Sequence, residues 1–188
     1  KRQVYHHRGA YLNAMGNALE WDMKMHPTYL WTLPMFHCNG WCFPWTIAMR
    51  AGTNICLRKV TGESIYEKIS SHGVEYLCGA PTVLSFIINT EVDHVKKLSS
   101  TVKLMTAAAP PPAKILEQIE KVGFDVTHVY GLTEVYGPAV ICKWKDDWNN
   151  LSSSEKANLK SRQGVSYLVQ EELKAVSYTH LTLPTKRI

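Results

Sequence analysis

The sequence is short of the features that mark membrane-spanning, disulfide-rich and repeat proteins. None of its apolar runs reaches the roughly 18 residues that a membrane-spanning helix needs. It has five cysteines, an odd number, and no CxxC pair. They lie mostly in apolar runs, which favours free, buried thiols and a reducing compartment. No internal repeat and no linker interrupts the chain, so an ordinary globular domain is expected.

Charge gives little direction. The formal net charge is +5, and the basic residues are scattered in pairs such as Arg58-Lys59 and Lys96-Lys97 without forming a basic helix. We therefore expect no nucleic-acid partner and only a weak preference for anionic ligands. Apolar residues make up 45% of the chain and charged residues 20%, which is typical of a globular domain with a core.

Strand-like and helix-like segments alternate along the chain. Apolar spacing predicts helices over 8–25, 41–50, 63–72, 82–89 and 113–122, and a polar, capped helix is predicted over 152–162. Strands are predicted over 29–33, 54–57, 75–78, 103–107, 124–129 and 140–143. Such alternation implies βαβ crossovers and an α/β fold with a mostly parallel sheet flanked by helices.

Two details of these helices can be checked against coordinates. In the first predicted helix, Tyr11 and Leu19 belong to the apolar face. Thr82 is predicted to cap the helix over 82–89. The aromatic run Trp31, Phe36, Trp41, Phe43 and Trp45 is expected to lie mainly in the core.

The most informative segment is Tyr130-Gly131-Leu132-Thr133-Glu134, at the end of a predicted strand. The glycine permits close approach of a ligand to the backbone. The hydroxyl of Thr133 can donate to phosphate, the carboxylate of Glu134 can bind magnesium, and the ring of Tyr130 can stack on a base. An ordinary strand-end turn is the alternative interpretation of this pattern alone.

Two further segments, 34–41 (Pro-Met-Phe-His-Cys-Asn-Gly-Trp) and 105–112 (Met-Thr-Ala-Ala-Ala-Pro-Pro-Pro), precede it in the chain. In this order the three motifs resemble the adenylate-forming superfamily of acyl-CoA ligases, luciferases and peptide-synthetase adenylation domains. With 31–41, 52–54, 57–60 and 143–145, the resemblance is closest to plant acyl-activating enzymes of the benzoate, butyrate and medium-chain type. It runs from about residue 1 to about residue 173.

The resemblance implies part of the large N-terminal domain of an adenylate-forming enzyme. Such an enzyme joins a small-molecule carboxylic acid to CoA, using ATP and Mg²⁺, through an acyl-adenylate. An intracellular location, peroxisomal or cytosolic, is implied as well. An adenylation enzyme with another acceptor, or a non-catalytic nucleotide- or acyl-binding fragment, remains the alternative.

Site residues are also implied by the resemblance. For the nucleotide and its metal they are Ala107, Ala108, Ala109 and Pro110 beside adenine, Tyr130 on the adenine ring, Gly131, Thr133 at the α-phosphate and Glu134 on Mg²⁺. The family usually has glycine where Ala107 and Ala108 stand, and an alanine there restricts φ. For the acyl group they are His37, Trp41, Gly79, Ala80, Gly137 and Pro138, with His37 near the substrate carboxylate. The catalytic residues would be His37, Thr133 and Glu134.

A rival interpretation of the upstream motif makes His37, Cys38 and Cys42 zinc ligands, although no second Cys/His pair has zinc-site spacing.

The ends of the chain carry two expectations. Residues 1–174 are expected to be a partial adenylation domain, and 175–188 an adaptor-like tail foreign to the family. Arg2 would stand where the family's phosphate loop has lysine, and the family's C-terminal lysine is not matched. The chain by itself is therefore expected to be inactive or nearly so.

Overall fold

The computed structural model describes residues 3–109, 111–171 and 173. The predictions that concern Arg2, Pro110 and the tail 175–188 lie outside these residues. The helices are α1 His7–Glu20, α2 Cys38–Trp41, α3 Phe43–Met49, α4 Gly62–His72, α5 Pro81–Ile88, α6 Ala113–Lys121 and α7 Ser153–Lys160. The strands are β1 Thr28–Trp31, β2 Thr53–Cys56, β3 Tyr76–Gly79, β4 Val102–Thr106, β5 Phe124–Leu132, β6 Gly137–Ile141 and β7 Val165–Ser166.

The seven strands form one sheet in the order β2-β1-β3-β4-β5-β6-β7. Strands β1 to β5 are parallel, whereas β6 pairs antiparallel with β5 and β7 antiparallel with β6. The predicted α/β fold with a mostly parallel sheet is confirmed. The antiparallel end arises because only a tight turn separates β5 from β6, and parallel strands need a longer crossover.

Apolar side chains cover both faces of the sheet. One core packs α1 and α3 on the sheet, and its largest members include Trp21, Tyr29 and Phe43. The other packs α4, α5 and α6 on the opposite face, around residues such as Leu77 and Leu104. Alternate residues of the same strands serve the two cores, which is why the strands have near-continuous apolar runs.

Helix α1 departs from its prediction in length and in the face that it buries. It ends at Glu20 rather than near residue 25, and Tyr11 and Leu19 are exposed. The buried face carries Asn13 and Asn17 instead, since both amides donate hydrogen bonds to carbonyl groups inside the fold. Hydrogen bonding makes burial of these polar groups tolerable, and apolar spacing alone could not reveal it.

The start of α5 corrects a second prediction. The helix begins at Pro81 after Ala80, and no side chain caps it, so Thr82 is not the cap. Proline suits a first helical turn because that turn's N–H has no partner within the helix. At α7 the predicted cap is confirmed, since Ser152 and Glu155 form a reciprocal capping box.

The aromatic run of the upstream motif is only partly core. Trp31, Trp41 and Phe43 are buried, but Phe36 is 88% exposed and Trp45 is half exposed. Helix α3 packs on the sheet with one face, and Trp45 lies on its other face, in contact with solvent. The run lies mainly in the core, as expected, and Phe36 and Trp45 are the two exceptions.

Strand boundaries near the pentapeptide also differ from the prediction. Strand β5 continues through Tyr130 and Gly131 to Leu132, and β6 begins at Gly137 rather than at 140. Strand β7 was not predicted. Pairing across the hairpin extends both strands into residues whose own propensities are weak. None of the described helices is long and apolar enough to span a bilayer.

Buried His128 predicts a pH dependence of stability. The side chain is 1% exposed, and its Nδ1–H donates to the carbonyl of Arg162 at 2.9 Å. Burial lowers the pKa of His128 below its ordinary 6.5, partly offset by its backbone hydrogen bonds. The unfolded chain therefore takes up this proton at a higher pH than the folded chain, and stability falls as pH drops below about 6.5. We expect His128→Gln to reduce the stability difference between pH 7 and pH 5 measured by urea unfolding. An unchanged difference would show that His128 does not contribute to it.

Candidate functional site

A cavity of about 270 Å³ opens at the carboxyl ends of β4 and β5. In parallel α/β sheets this edge is where ligands bind. Its walls come from the end of β4, the β5–β6 hairpin and the segment that leads into α3. The lining residues are His37, Cys38, Trp41, Ala107, Ala108, Val129, Gly131, Leu132, Thr133, Gly137 and Pro138.

Three segments far apart in sequence thus contribute to one cavity. Of the predicted site residues, those that line it are His37, Trp41, Ala107, Ala108, Gly131, Thr133, Gly137 and Pro138. His37 of the upstream motif and Thr133 of the pentapeptide therefore line the same cavity.

Other predicted site residues lie outside this lining. Tyr130, Ala109 and Glu134 are exposed at the surface beside it. The position of a Cβ on Gly79 is within 2.7 Å of Val83, so this glycine allows α5 to pack closely on β3. Ala80 is the residue that precedes α5 and does not line the cavity either.

The β5–β6 hairpin positions Thr133. Gly131 lies at a register shift in the hairpin, and a Cβ on it would be 1.8 Å from the carbonyl oxygen of Gly137. No side chain fits there, so the two backbones meet directly. Residues Thr133–Val135 form a single 3₁₀ turn, and the N–H of Tyr136 donates to the carbonyl of Thr133 at 3.2 Å.

Thr133 is held from two sides. Its carbonyl accepts a hydrogen bond from the phenol of Tyr5 at 2.6 Å, and its hydroxyl lies 3.2 Å from the thiol of Cys38. Burial raises the pKa of Tyr5 above its ordinary value, so the phenol is a donor at neutral pH. The second lone pair of the Thr133 hydroxyl, and its proton when Cys38 donates, stay available toward the cavity.

The backbone next to His37 is left-handed. Cys38, Asn39, Gly40, Trp41 and Cys42 have φ of +45°, +45°, +61°, +54° and +67°. We call this segment, 38–42, the left-handed turn; it includes all of α2, which is therefore not an ordinary right-handed helix. Glycine and asparagine tolerate such φ, but each of the three other residues costs about 1–2 kcal/mol. Contacts with the rest of the fold must offset that cost.

Part of the offset comes from α1. The amide of Asn17 donates to the carbonyl of Trp41 at 3.0 Å and to the hydroxyl of Thr46 at 3.3 Å. Trp41 and Cys42 are buried, and the thiol of Cys42 donates to the carbonyl of Ala10 at 3.2 Å. The sequence analysis missed Asn17 and Tyr5 as site-supporting residues. Asparagines on an otherwise apolar helix stripe were the one available signal.

Ala108 also has left-handed backbone, with φ of +83°. This is a position where glycine was expected, and alanine is strained there by about 1–2 kcal/mol, against about 0.5–1 kcal/mol of extra chain entropy for glycine. We expect Ala108→Gly to raise the free energy of unfolding by about 0.5–1 kcal/mol in urea denaturation. Ala109→Gly is the matched control, since φ of Ala109 is not left-handed, and it should lower stability by a similar amount. A loss in both variants would contradict the strain at Ala108.

The zinc interpretation finds no support in this geometry. The thiol of Cys38 faces Thr133, whereas that of Cys42 faces Ala10. Burial raises the pKa of Cys42 to about 12, which opposes formation of a metal-binding thiolate. Within residues 3–109 and 111–171 no three His, Cys, Asp or Glu side chains gather closely enough to hold a metal ion.

A second crevice, of about 450 Å³, lies at the opposite edge of the sheet. Lys103, Lys143 and Lys160 line it, but each has local partners. Lys160, for example, is paired with Glu120 and Asp125, and Lys143 with Glu20. Of the four lysines that line it, Lys143 and Lys160 are thus paired with acids and Lys103 donates to the carbonyl of Trp21. No predicted site residue lines the crevice.

Comparison with protein families gives one match, to a family described as AMP-binding enzyme, over residues 1–171. Acetate/butyrate–CoA ligase AAE7, peroxisomal, of Arabidopsis thaliana is 48% identical over 94% of this chain and 31% of its own length. 2-Methylpropanoate–CoA ligase CCL4 of Humulus lupulus is also 48% identical, over 94% of this chain and 31% of its own length. Trans-cinnamate:CoA ligase, peroxisomal, of Petunia hybrida is 43% identical over 92% of this chain and 30% of its own length. The chain thus spans about a third of the length of these curated relatives.

Solved structures share the fold at lower identity. The N-terminal domain of FACL13 from Mycobacterium tuberculosis superposes with a TM-score of 0.75 at 20% identity, covering 88% of this chain and 40% of that one. O-succinylbenzoate coenzyme A synthetase from Bacillus subtilis, in complex with AMP, superposes with a TM-score of 0.67 at 19% identity, covering 89% of this chain and 32% of that one. At these identities the likeness concerns the fold alone.

Proposed function

The chain belongs to the AMP-binding enzyme family, and on that premise we propose that it is part of an ATP-dependent carboxylic acid–CoA ligase. The resemblance to plant acyl-activating enzymes that the motifs indicated is confirmed by relatives at 43–48% identity. Because the chain spans about a third of their length, the activity of a whole enzyme is inferred from these relatives.

One observation carries the proposal. His37 and Thr133, 96 residues apart in the sequence numbering, line the same cavity at the carboxyl edge of the sheet. The two groups differ in chemistry, an imidazole and a hydroxyl, and the cavity between them also has apolar walls from Trp41 and Pro138. A ligand with a phosphate at one end and an acyl group at the other matches this distribution.

We assign the nucleotide to the hairpin side. The Thr133 hydroxyl would bind the α-phosphate, the segment from Ala107 to Ala109 would border adenine, and Tyr130 would pack on its ring from the exposed side. The exposed carboxylate of Glu134, next in sequence to Thr133, fits a magnesium ion, which usually takes one or two carboxylates together with substrate phosphates and water. When bound, the ion would supply positive charge to the phosphates.

The acyl group is assigned to the side of the left-handed turn. The imidazole of His37 would donate a hydrogen bond to the substrate carboxylate, and Trp41, Gly137 and Pro138 would contact the carbon chain. Gly79 and Ala80 do not line the described cavity and would contribute only through the packing of β3 against α5.

The proposed reaction has two steps. A carboxylate oxygen attacks the α-phosphorus of ATP, and the bond to pyrophosphate breaks, giving an acyl-adenylate. The thiol of CoA then attacks the acyl carbon, loses its proton and expels AMP. In the first step two anions meet. The chain's main contribution to this step would be preorganised hydrogen-bond donors such as Thr133, which stabilise the negative charge.

The relatives are ligases of acetate and butyrate, 2-methylpropanoate and cinnamate, and we propose a small carboxylic acid for this chain too. The Arabidopsis and Petunia relatives are peroxisomal. We propose the peroxisome as the first candidate location and the cytosol as the second.

Calorimetric titration tests the proposed site. The purified chain should bind butyryl sulfamoyl-adenosine, a non-hydrolysable acyl-adenylate analogue, at least about tenfold more tightly than AMP. The three apolar carbons that the analogue buries contribute about 0.8 kcal/mol each. An analogue that binds no better than ATP would favour a non-catalytic nucleotide-binding fragment. We expect pyrophosphate exchange by the chain alone to remain at background.

Removing the hydroxyl of Thr133 should weaken nucleotide binding. Thr133→Val keeps the side-chain shape and loses the donor to a charged phosphate, for which about tenfold lower affinity for AMP is expected. Thr101→Val, at an exposed position away from the cavity, is the matched control and should bind normally. Equal affinities of Thr133→Val and the unchanged chain would remove Thr133 from the site.

A further inference from the structure

Tyr136 is a buried residue between the two halves of the candidate site, and neither the motifs nor the comparisons give it a role. It is 5% exposed and follows the turn of Thr133. Its own backbone is left-handed, with φ of +67°. A tyrosine in this conformation is uncommon, and surrounding contacts must hold it.

The phenol oxygen of Tyr136 accepts two hydrogen bonds. Nδ2 of Asn39, in the left-handed turn, donates at 2.7 Å, and Nε1 of Trp45, in α3, donates at 2.7 Å. Asn39 lies two residues from His37, and Trp45 follows the same turn. The phenol oxygen of Tyr136 therefore binds both the middle of the left-handed turn and helix α3, which follows that turn.

The remainder of Tyr136 is fixed to the nucleotide half of the site. Its N–H donates to the carbonyl of Thr133 at 3.2 Å, and its carbonyl accepts from Nδ2 of Asn13 in α1 at 3.1 Å. Its ring stacks on Tyr5 with centroids 4.0 Å apart, and Tyr5 in turn donates to the carbonyl of Thr133. The backbone and ring thus hold the Thr133 turn, while the phenol oxygen holds the left-handed turn.

We propose that Tyr136 is a positioning residue that sets the acyl half of the site against the nucleotide half. This inference rests on the proposed function for the identity of the two halves. Because the phenol oxygen contacts one turn and the ring and backbone contact the other, the two roles can be tested separately. Loss of the oxygen alone should release the left-handed turn and leave the Thr133 turn in place.

Tyr136→Phe tests this division because it removes one atom and retains the ring stack. We expect the affinity for butyryl sulfamoyl-adenosine to fall about tenfold, toward that of AMP, because the hydrogen bonds from Asn39 in the turn and from Trp45 in α3 are lost. The affinity for AMP itself should change less than about twofold. Asn39→Ala removes one of the two donors and should give the same pattern. The double variant should lose less than the sum of the two single losses, because both changes break the same contact.

A readout without ligand separates this proposal from the proposed function. The N–H of Gly40 donates to the carbonyl of His37 at 2.8 Å within the left-handed turn. In Tyr136→Phe its amide hydrogen exchange should be about tenfold faster, while the exchange of Tyr136 N–H itself should change little. If the unchanged chain binds neither AMP nor the analogue, the proposed function fails, and the Gly40 exchange still decides whether the phenol oxygen holds the turn.

Tyr66→Phe is the matched control. Tyr66 is a buried tyrosine of α4 on the opposite face of the sheet, and its phenol oxygen has no hydrogen-bond partner among the described residues. This variant should leave both affinities and the Gly40 exchange unchanged. Equal losses of AMP and analogue affinity in Tyr136→Phe, or an unchanged Gly40 exchange rate, would overturn the positioning role.

Discussion

Gly131→Ala is expected to lower the free energy of unfolding by at least about 3 kcal/mol, the largest effect of any single methyl group near the site. The added Cβ would stand 1.8 Å from the carbonyl oxygen of Gly137 and 2.9 Å from Cα of Pro138. Both are backbone atoms, so no rotamer change can relieve the clash. The β5–β6 hairpin must open, and Thr133 moves with it. Urea unfolding followed by far-ultraviolet circular dichroism measures the change.

Gly9→Ala is the control for adding the same methyl group elsewhere. Gly9 is exposed in α1, and a Cβ there meets no atom within 4 Å. Alanine favours a helix over glycine, so stability should rise by up to about 1 kcal/mol. A loss below about 1 kcal/mol in Gly131→Ala, with β5 and β6 still paired, would show that the hairpin does not need this close approach.

The second large effect is expected for Asn17→Ala, with a loss of about 2–4 kcal/mol. Asn17 is fully buried in α1. Its amide nitrogen donates to the carbonyl of Trp41, and its amide oxygen accepts from the phenol of Tyr167 at 3.1 Å. Alanine leaves the carbonyl of Trp41 and the phenol of Tyr167 buried and without these hydrogen bonds. It also removes one hydrogen bond that holds the left-handed turn.

Asn158→Ala provides the comparison, because Asn158 is an exposed residue of α7 and its truncation should change stability by less than about 0.5 kcal/mol. The same urea experiment serves both variants. If Asn17→Ala unfolds at the same denaturant concentration as Asn158→Ala, the buried amide does not stabilise the fold in the way described.

Much of the fold could be predicted from local sequence. Helix α4 illustrates this, since the spacing of Ile65 and Ile69 predicts a helix over 63–72, and the structure has it over Gly62–His72. The parallel sheet followed from the alternation of segments. The ends of α1 and β5 were less predictable, because buried hydrogen bonds and cross-strand pairing, rather than propensity, determine them.

The site was predictable only in part. The order of three motifs led to His37 and Thr133, and the fold brings both to one cavity. Tyr5 and Tyr136 were missed because their roles come from contacts across the chain, such as the bond from Tyr5 to Thr133 over 128 residues. No local signal reveals such partners.

The left-handed turn shows a different limit. Asn39 and Gly40 tolerate positive φ, but Trp41 has no such preference. Its conformation follows from burial of the indole and from the hydrogen bond of Asn17 to its carbonyl. A property that depends on the whole fold cannot be deduced from five residues.

The central claim is that one acyl-adenylate lies between the β5–β6 hairpin and the left-handed turn. A titration of ¹⁵N-glycine-labelled chain with butyryl sulfamoyl-adenosine, followed by NMR, tests it most directly. The amides of Gly131, Gly137 and Gly40 should shift. Those of Gly73, an exposed helix cap, and Gly164, which contacts Ile141 and Cys142 beside the second crevice, should not. Shifts at Gly164 with none at Gly131 and Gly137 would place the ligand at the opposite edge of the sheet and contradict the account.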